Sequence, residues 1–152
     1  MRRFSICFLL GVLLLLEGCS SAVSNIGTVE KIIPVPNETK NELYVKANNW
    51  MVDTFTNAKS VVQFTDKESG TISGRYFLGN VVPESQYGAA INVFATIKIR
   101  VKDKACRIQI TPDQFSYVSG MSYYTEDMAR KDINSLIGSF ESSMSKNEDE
   151  KW

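Results

Sequence analysis

The feature that most restricts the fold of this chain is a strict alternation of side chains from Ile91 to Val101. A strand with period two turns one face to the core and the other to water. We therefore expect an antiparallel sheet that is covered on one side only. The buried positions would be Ile91, Val93, Ala95, Ile97, Ile99 and Val101, and the wet positions Asn92, Phe94, Thr96, Lys98 and Arg100.

Four further segments have strand character. The residues from Val29 to Val35 are predicted to form a first strand, which Pro34 and Pro36 either end or place at an edge of the sheet. The segments 60–66 and 70–78 flank a polar turn that ends in Gly70, as in a hairpin. Residues 81–88 are predicted to be a loop. A last alternating strand buries Cys106, Ile108 and Ile110 and exposes Arg107, Gln109 and Thr111.

Two segments have helical periodicity. The first is predicted to begin at Asn37 as N-cap, with Glu38 in the first turn, and to end near Ala58. We expect Trp50 on its apolar stripe to be buried against the sheet. The second helix is predicted to begin near Thr125. The two stripes are Leu43, Ala47, Trp50, Met51, Phe55 and Ala58 in the first helix, and Ala129, Ile133, Leu136, Ile137, Phe140 and Met144 in the second.

The order of elements predicts a two-layer α+β domain with the arrangement β-α-β-β-β-β-α. Only one strand parity is strongly apolar, so both helices should pack on the same face of the sheet. The domain is predicted to span residues 26–145, and 146–152 to form a charged tail. The aromatic residues between Pro112 and Thr125 are expected to wrap one end of the sheet.

The N-terminus has the order of a bacterial lipoprotein signal. Arg2 and Arg3 precede an apolar run, which closes with Leu16-Glu17-Gly18-Cys19. Residues 1–18 would be cleaved, Cys19 would carry the lipid, and 19–25 would form a tether. The predicted location is the bacterial envelope, lipid-anchored at the outer membrane. Two alternatives are a transmembrane anchor, which needs about 20 apolar residues, and a plain secretory signal. Glu17 departs from the usual pattern.

Composition excludes several chemistries. The chain has no histidine, which removes Ser-His-Asp and Cys-His catalysis and histidine zinc sites. With Cys7 in the signal and Cys19 lipidated, Cys106 has no partner for an intramolecular disulfide; it is either a buried small hydrophobe or a reactive thiol. We expect no metal and no cofactor. The formal net charge is zero, so nucleic acid is not an expected partner.

Several segments together resemble an uncharacterised family of secreted and lipid-anchored proteins of Bacteroides-type bacteria. They are residues 29–33, the helix with Trp50, residues 64–74 and the strand through Ile97-Lys98-Ile99, and residues 66–72 are the most specific part. The resemblance covers roughly residues 26–140. It implies a fold like that of the TATA-binding protein. The family has no established activity or catalytic residues, so it implies no site, and fold does not imply DNA binding.

The candidate site is the wet face of the sheet. Strand parity places four cations and two phenylalanines among its polar residues, with no carboxylate on the four later strands. Such a face could receive an anionic partner. It could also be an ordinary solvated face, partly neutralised by Glu30, or be covered by a second copy in a homodimer. The candidate binding residues are Arg75, Phe77, Phe94, Lys98, Arg100 and Arg107; Gln63, Thr65, Ser73, Thr96, Gln109 and Thr111 complete the expected face.

Two classes of function fit these observations. The first is a non-catalytic envelope module that binds a protein or an anionic glycan through the wet face. The second is a hydrolase that uses carboxylates or a Ser-Lys pair. Asp66, Glu68, Asp113 and Glu126 are the carboxylates considered, and none lies in a recognisable motif. A deep cleft with converging carboxylates would favour the enzyme, and an open sheet would favour binding.

Overall fold

The computed structural model describes residues 21–146. Cys19, the predicted signal peptide and the last part of the predicted tail lie outside the described residues. Within this range there are two helices, α1 (Lys40–Thr54) and α2 (Glu126–Ser145). The strands are β1 (Ala22–Val23), β2 (Val29–Pro34), β3 (Val61–Asp66), β4 (Thr71–Val82), β5 (Ile91–Lys102), β6 (Ala105–Pro112) and β7 (Ser116–Tyr117).

Five of these strands form one antiparallel sheet in the order β2-β6-β5-β4-β3. The strand that alternates most strictly, β5, lies at the centre. The strands β2 and β3 form opposite edges, so α1, which connects them, crosses from one side of the sheet to the other. The α+β fold with two helices on one face is confirmed.

The core lies between the helices and one face of the sheet. The alternating residues Ile97, Ile99 and Ile108 are fully buried there together with residues of both helices. Trp50 is 3% exposed, as predicted. Its ring meets Phe140 of α2 edge to face, with centroids 5.0 Å apart. The two helices therefore pack on each other as well as on the sheet.

The ends of α1 differ from the prediction. Thr39, not Asn37, is the N-cap: its side chain accepts a hydrogen bond from the backbone of Glu42, whose carboxylate accepts one from the backbone of Thr39. This reciprocal pair is a capping box, and the Thr-x-x-Glu spacing was present in the sequence. Glu38 precedes the helix and forms an ion pair with Lys46, which is buried. The helix ends at Thr54, with Phe55 as its C-cap, before Ala58.

A second, smaller cluster closes one end of the sheet. Phe115 and Tyr124 pack there against Val81 and Val93, as expected for the aromatic stretch. Two boundaries differ from the prediction. Val81 lies in a strand, because β4 continues to Val82 through two irregularities in its pairing with β5. Residues 22–25, predicted as tether, belong to the fold, because β1 pairs with β7 and Ser24 is buried.

Candidate binding face on the open side of the sheet

The four cations of the candidate site lie on the sheet face opposite the helices. Residues directly opposite each other on neighbouring antiparallel strands share a face. Lys98 lies opposite Ser73, and Arg100 lies opposite Arg107. Lys98, Arg100 and Arg107 each lie next to a buried isoleucine in their strands, and Arg75 lies opposite Thr96 on the same face. We call this surface the open face.

At one end of the open face, the aromatic rings are covered by cations. Phe77 and Phe94 are cross-strand neighbours whose rings meet edge to face, with centroids 5.7 Å apart. The guanidinium of Arg75 lies 4.4 Å from the centroid of Phe94, and the ammonium of Lys59 lies 4.8 Å from that of Phe77. Arg75 also forms a 2.7 Å ion pair with Asp113. These aromatic faces are therefore satisfied within the protein by cation–π contacts.

The expectation that the four later strands place no carboxylate on this face is wrong at β3, where Asp66 lies opposite Thr71 and Thr71 lies opposite Arg100. Neighbours of these strands bring further carboxylates. Asp113 follows β6 directly and pairs with Arg75. Glu30 of β2 lies opposite Gln109 and accepts a 2.6 Å hydrogen bond from its side-chain amide. The other oxygen of Glu30 is 3.7 Å from Arg107. Glu30 thus partly neutralises the face, as expected for the alternative of an ordinary solvated face.

Two cations in the middle of the open face have no such compensation. Neither Lys98 nor Arg100 forms an ion pair with another residue of the described range 21–146. Arg100 lies directly opposite Arg107, and like charges in that position destabilise a sheet. We call Lys98, Arg100 and Arg107 the cationic strip. Among residues 21–146, only Arg107 of the three has a carboxylate partner, so the strip is an excess of positive charge that the described fold balances only in part.

A bulge in β3 changes which of its residues join the open face. The pairing with β4 shifts between Val62 and Phe64, so Gln63 lies opposite no residue of β4. Thr65 lies opposite the buried Ile72 and faces the helix side, contrary to the prediction. Phe64 takes its place on the open face, opposite Ser73, and is 52% exposed. Strict alternation could not reveal this, because one extra residue reverses the parity of a strand.

A shallow groove of about 530 Å³ lies at the end of the cationic strip, beside the β5–β6 turn. We call it the distal groove. Ile32, which is 63% exposed, forms an apolar wall. Ile32 follows Glu30 by two residues in β2, so strand alternation predicts that both side chains lie on the same face of the sheet. The polar lining consists of Arg100, Lys102, Arg107, Ser69 and Thr71, and no carboxylate of residues 21–146 lines the groove.

The carboxylates considered for hydrolysis do not converge within the described range. Asp66 caps the β3–β4 turn by accepting from the backbone of Glu68 and Ser69. Hydrogen bonding with the side chain of Ser69, and then with these backbone amides, lowers its pKa. Glu126 accepts from the backbone of Asn25 and from Arg130, which lowers its pKa as well. Both groups are ionised at neutral pH and have structural partners, so they are poorly suited to donate a proton.

Cys106 behaves as a core residue. Its thiol is 2% exposed and lies 3.8 Å from the carbonyl oxygen of Ile33. Burial, helped by the charge of Glu38, raises its pKa to about 11. Reactive thiols are accessible and have a lowered pKa. Of the two interpretations, the structure supports the buried small hydrophobe.

Within residues 21–146, no three Asp, Glu or Cys side chains come together in a group that could hold a metal ion. None of the helices described is long and apolar enough to cross a membrane.

The comparison with protein families decides the classification. Residues 30–117, more than half of the chain, match the model described as a domain of unknown function (DUF4468) with TBP-like fold. The chain belongs to this family. The match covers β2 to β7, and therefore the whole cationic strip and the distal groove, and it confirms the resemblance inferred from the sequence. No curated protein matches the chain.

Solved structures agree with the fold of the DUF4468 domain. A DUF4468 family protein from Bacteroides ovatus has 15% sequence identity and a TM-score of 0.54, over 82% of this chain and 89% of the other. A TBP-like protein from Parabacteroides distasonis has 12% identity and a TM-score of 0.59, over 80% and 94%. At these identities the likeness shows the fold alone.

Proposed function

We propose that this DUF4468 protein is a lipid-anchored, non-catalytic module of the bacterial envelope that binds an acidic protein surface through its open face. The observation that supports this most is the cationic strip, in which Lys98 and Arg100 form no ion pair within residues 21–146. Arg100 and Arg107 lie opposite each other, and Lys98 lies two residues before Arg100 on the same strand. An anion bound over the strip would reduce the electrostatic repulsion between Arg100 and Arg107.

The shape and chemistry of the face favour a protein over a glycan. Sugar binding commonly needs free aromatic faces, and those of Phe77 and Phe94 are covered by Lys59 and Arg75. Exposed apolar side chains flank the cationic strip instead, Phe64 on one side and Ile32 on the other. Arginines beside exposed apolar residues on an open surface are typical of protein interfaces. Electrostatic attraction would guide the partner to the face.

A hydrolase is the alternative that the sequence left open, and the geometry gives it little support. Of the carboxylates considered above, Asp66 caps a turn, and Asp113 and Glu126 form ion pairs. The ammonium of the buried Lys46 is held by Glu38 and by the carbonyl oxygen of Lys146. A lysine with those partners is not available as the base of a Ser-Lys pair.

Binding is tested with an immobilised acidic polypeptide, poly-L-glutamate, on the full protein. Wild type should be retained at low salt and released as the salt concentration rises, because added ions screen exposed charges. The double variant Lys98→Glu/Arg100→Glu should lose retention. The matched control, Lys67→Glu/Lys131→Glu, makes the same change in net charge at exposed positions away from the strip, and should be retained like wild type. Equal loss in both doubles, or retention on polygalacturonate alone, would contradict the proposal.

Anchoring is tested separately. Cys19→Ser should move the protein from the membrane fraction to the soluble fraction. The lipid would be attached through the thiol of Cys19, which serine lacks, and stable anchoring of a protein depends on its lipid chains. Persistent membrane partitioning of the variant together with its lipid label would show that the anchor is elsewhere.

A further inference from the structure

The two ends of the domain differ strongly in charge. The end that carries the distal groove holds the β3–β4 turn, the β5–β6 turn and the start of α1. Its charged residues include Lys40, Glu42, Lys67, Glu68, Lys102, Asp103 and Lys104. At the other end lie the first residues of the fold, the β4–β5 loop and the connection from β6 to α2.

That second end is almost free of charge. Residues 19–29 and 114–125 contain no Asp, Glu, Lys or Arg, and residues 76–92 contain only Glu84. A surface of a soluble domain would ordinarily carry charges of both signs throughout. The lack of charge at this end therefore indicates that its surroundings differ from those of the charged end.

Large apolar and aromatic side chains project from the same segments. Tyr87 is 90% exposed, Tyr123 is 72% exposed and Met121 is 70% exposed. The segments meet in the fold, since the backbone amide of Tyr123 donates a 3.0 Å hydrogen bond to the carbonyl oxygen of Val81. We call this surface the apolar rim; it consists of Val23, Val82, Tyr87, Ile91, Met121 and Tyr123. The expectation that Ile91 is buried is wrong, because it lies at the end of β5 and is 55% exposed.

The chain enters the fold at the apolar rim. Val23 lies opposite Ser116 in the small sheet of β1 and β7, beside the aromatic cluster that closes this end. Cys19 lies only three positions before Ala22. Three extended residues span at most about 10 Å. A lipid on Cys19 would therefore hold the rim at the membrane surface.

We propose that the apolar rim rests in the interfacial layer of the lipid bilayer, so that the anchored domain stands with its distal groove pointing away from the membrane. This rests on the proposed anchoring at Cys19. Tyrosine suits such a position, because its ring is apolar and its hydroxyl remains in the wet headgroup layer. The twelve residues of β5 rise about 35–40 Å from the rim toward the groove. The cationic strip would thus be presented to a partner beyond the headgroups.

The orientation is measured with nitroxide labels on the full, lipidated protein bound to phosphatidylcholine vesicles. One variant carries Tyr123→Cys on the rim, and the matched control carries Ile32→Cys at the distal groove; both native residues are well exposed. The buried Cys106 should remain unlabelled. The collision rate with a water-soluble nickel complex should be severalfold lower at position 123 than at position 32, and that with oxygen severalfold higher.

The outcomes separate the rim from the anchor. Equal access of the nickel complex to both positions in vesicle-bound protein would overturn the orientation and leave the anchor standing. Protein that does not sediment with the vesicles at all would overturn both. Reduced nickel access at position 32 alone would mean that the groove, rather than the rim, faces the lipid.

Discussion

Arg100 and Arg107 lie directly opposite each other on the two neighbouring strands β5 and β6. Arg107 has Glu30 at 3.7 Å, whereas Arg100 forms no ion pair in the described chain. Their juxtaposition lowers the stability of the fold, and it also creates the positive surface on which the proposed function depends. Stability and binding should therefore respond in opposite directions to the same substitution.

Replacing Arg100 by Gln should stabilise the protein. Removing one of two opposed like charges is worth roughly 0.2–1 kcal/mol in the free energy of unfolding. Urea denaturation at low salt measures it, and the gain should shrink at high salt because the repulsion is screened. Arg107→Gln is the control, with a smaller gain because it also removes the partner of Glu30. A loss of stability in Arg100→Gln at low salt would show that the pair is not repulsive.

Replacing Trp50 by Ala should be strongly destabilising. The side chain is buried, touches Phe140, and donates a 3.1 Å hydrogen bond from Nε1 to the hydroxyl of Ser139. Truncations of this kind cost about 3–5 kcal/mol. Val52→Ala on the exposed side of the same helix should change the free energy of unfolding by less than about 0.5 kcal/mol. Similar values for the two variants in urea denaturation would refute the packing described for Trp50.

Replacing Gly79 by Ala should destabilise the second cluster. A Cβ atom there would lie 2.6 Å from the ring of Tyr124, which is buried and held by a 2.8 Å hydrogen bond to Asp132. Overpacking of this type costs about 1–3 kcal/mol. The control is Gly138→Ala, in the exposed middle of α2 with nothing within 4 Å, which should gain up to about 1 kcal/mol. Thermal unfolding of both variants should show opposite shifts in Tm.

The stability of the protein should fall between pH 9 and 11 in a way that depends on Cys106. Its pKa is raised from 9.0 to about 11 by burial and by Glu38, so the folded state keeps the proton that the unfolded state loses. The contribution is present below pH 9 and is lost as the pH rises through the folded pKa, roughly 2–3 kcal/mol in total. The difference in pH slope between wild type and Cys106→Ala isolates it from Tyr124, whose pKa burial also raises. Parallel slopes would contradict the prediction.

Hydrophobic periodicity was sufficient for most of the architecture. The alternation of β5 and β6 predicted a sheet with one covered face, and it placed Lys98, Arg100 and Arg107 together on the other. The apolar stripes of the two segments around Trp50 and Phe140 predicted helices on the covered side. These inferences hold because burial of apolar area is the main driving force of folding, and because side-chain direction in a regular strand or helix follows from spacing alone.

Other features of the candidate site depend on strand irregularities and on contacts between distant segments, and these are visible only in the folded chain. The bulge at Gln63 reversed the parity of β3 and exchanged Thr65 for Phe64 on the open face. The pairing of β2 with β6 brought Glu30 beside Arg107 and left Arg100 unbalanced. The pairing of β1 with β7 placed the start of the fold beside the apolar rim. Hydrophobic periodicity does not predict these features. A bulge interrupts the alternation of side chains at one position, and the order of strands in a sheet depends on how distant segments of the chain pack together.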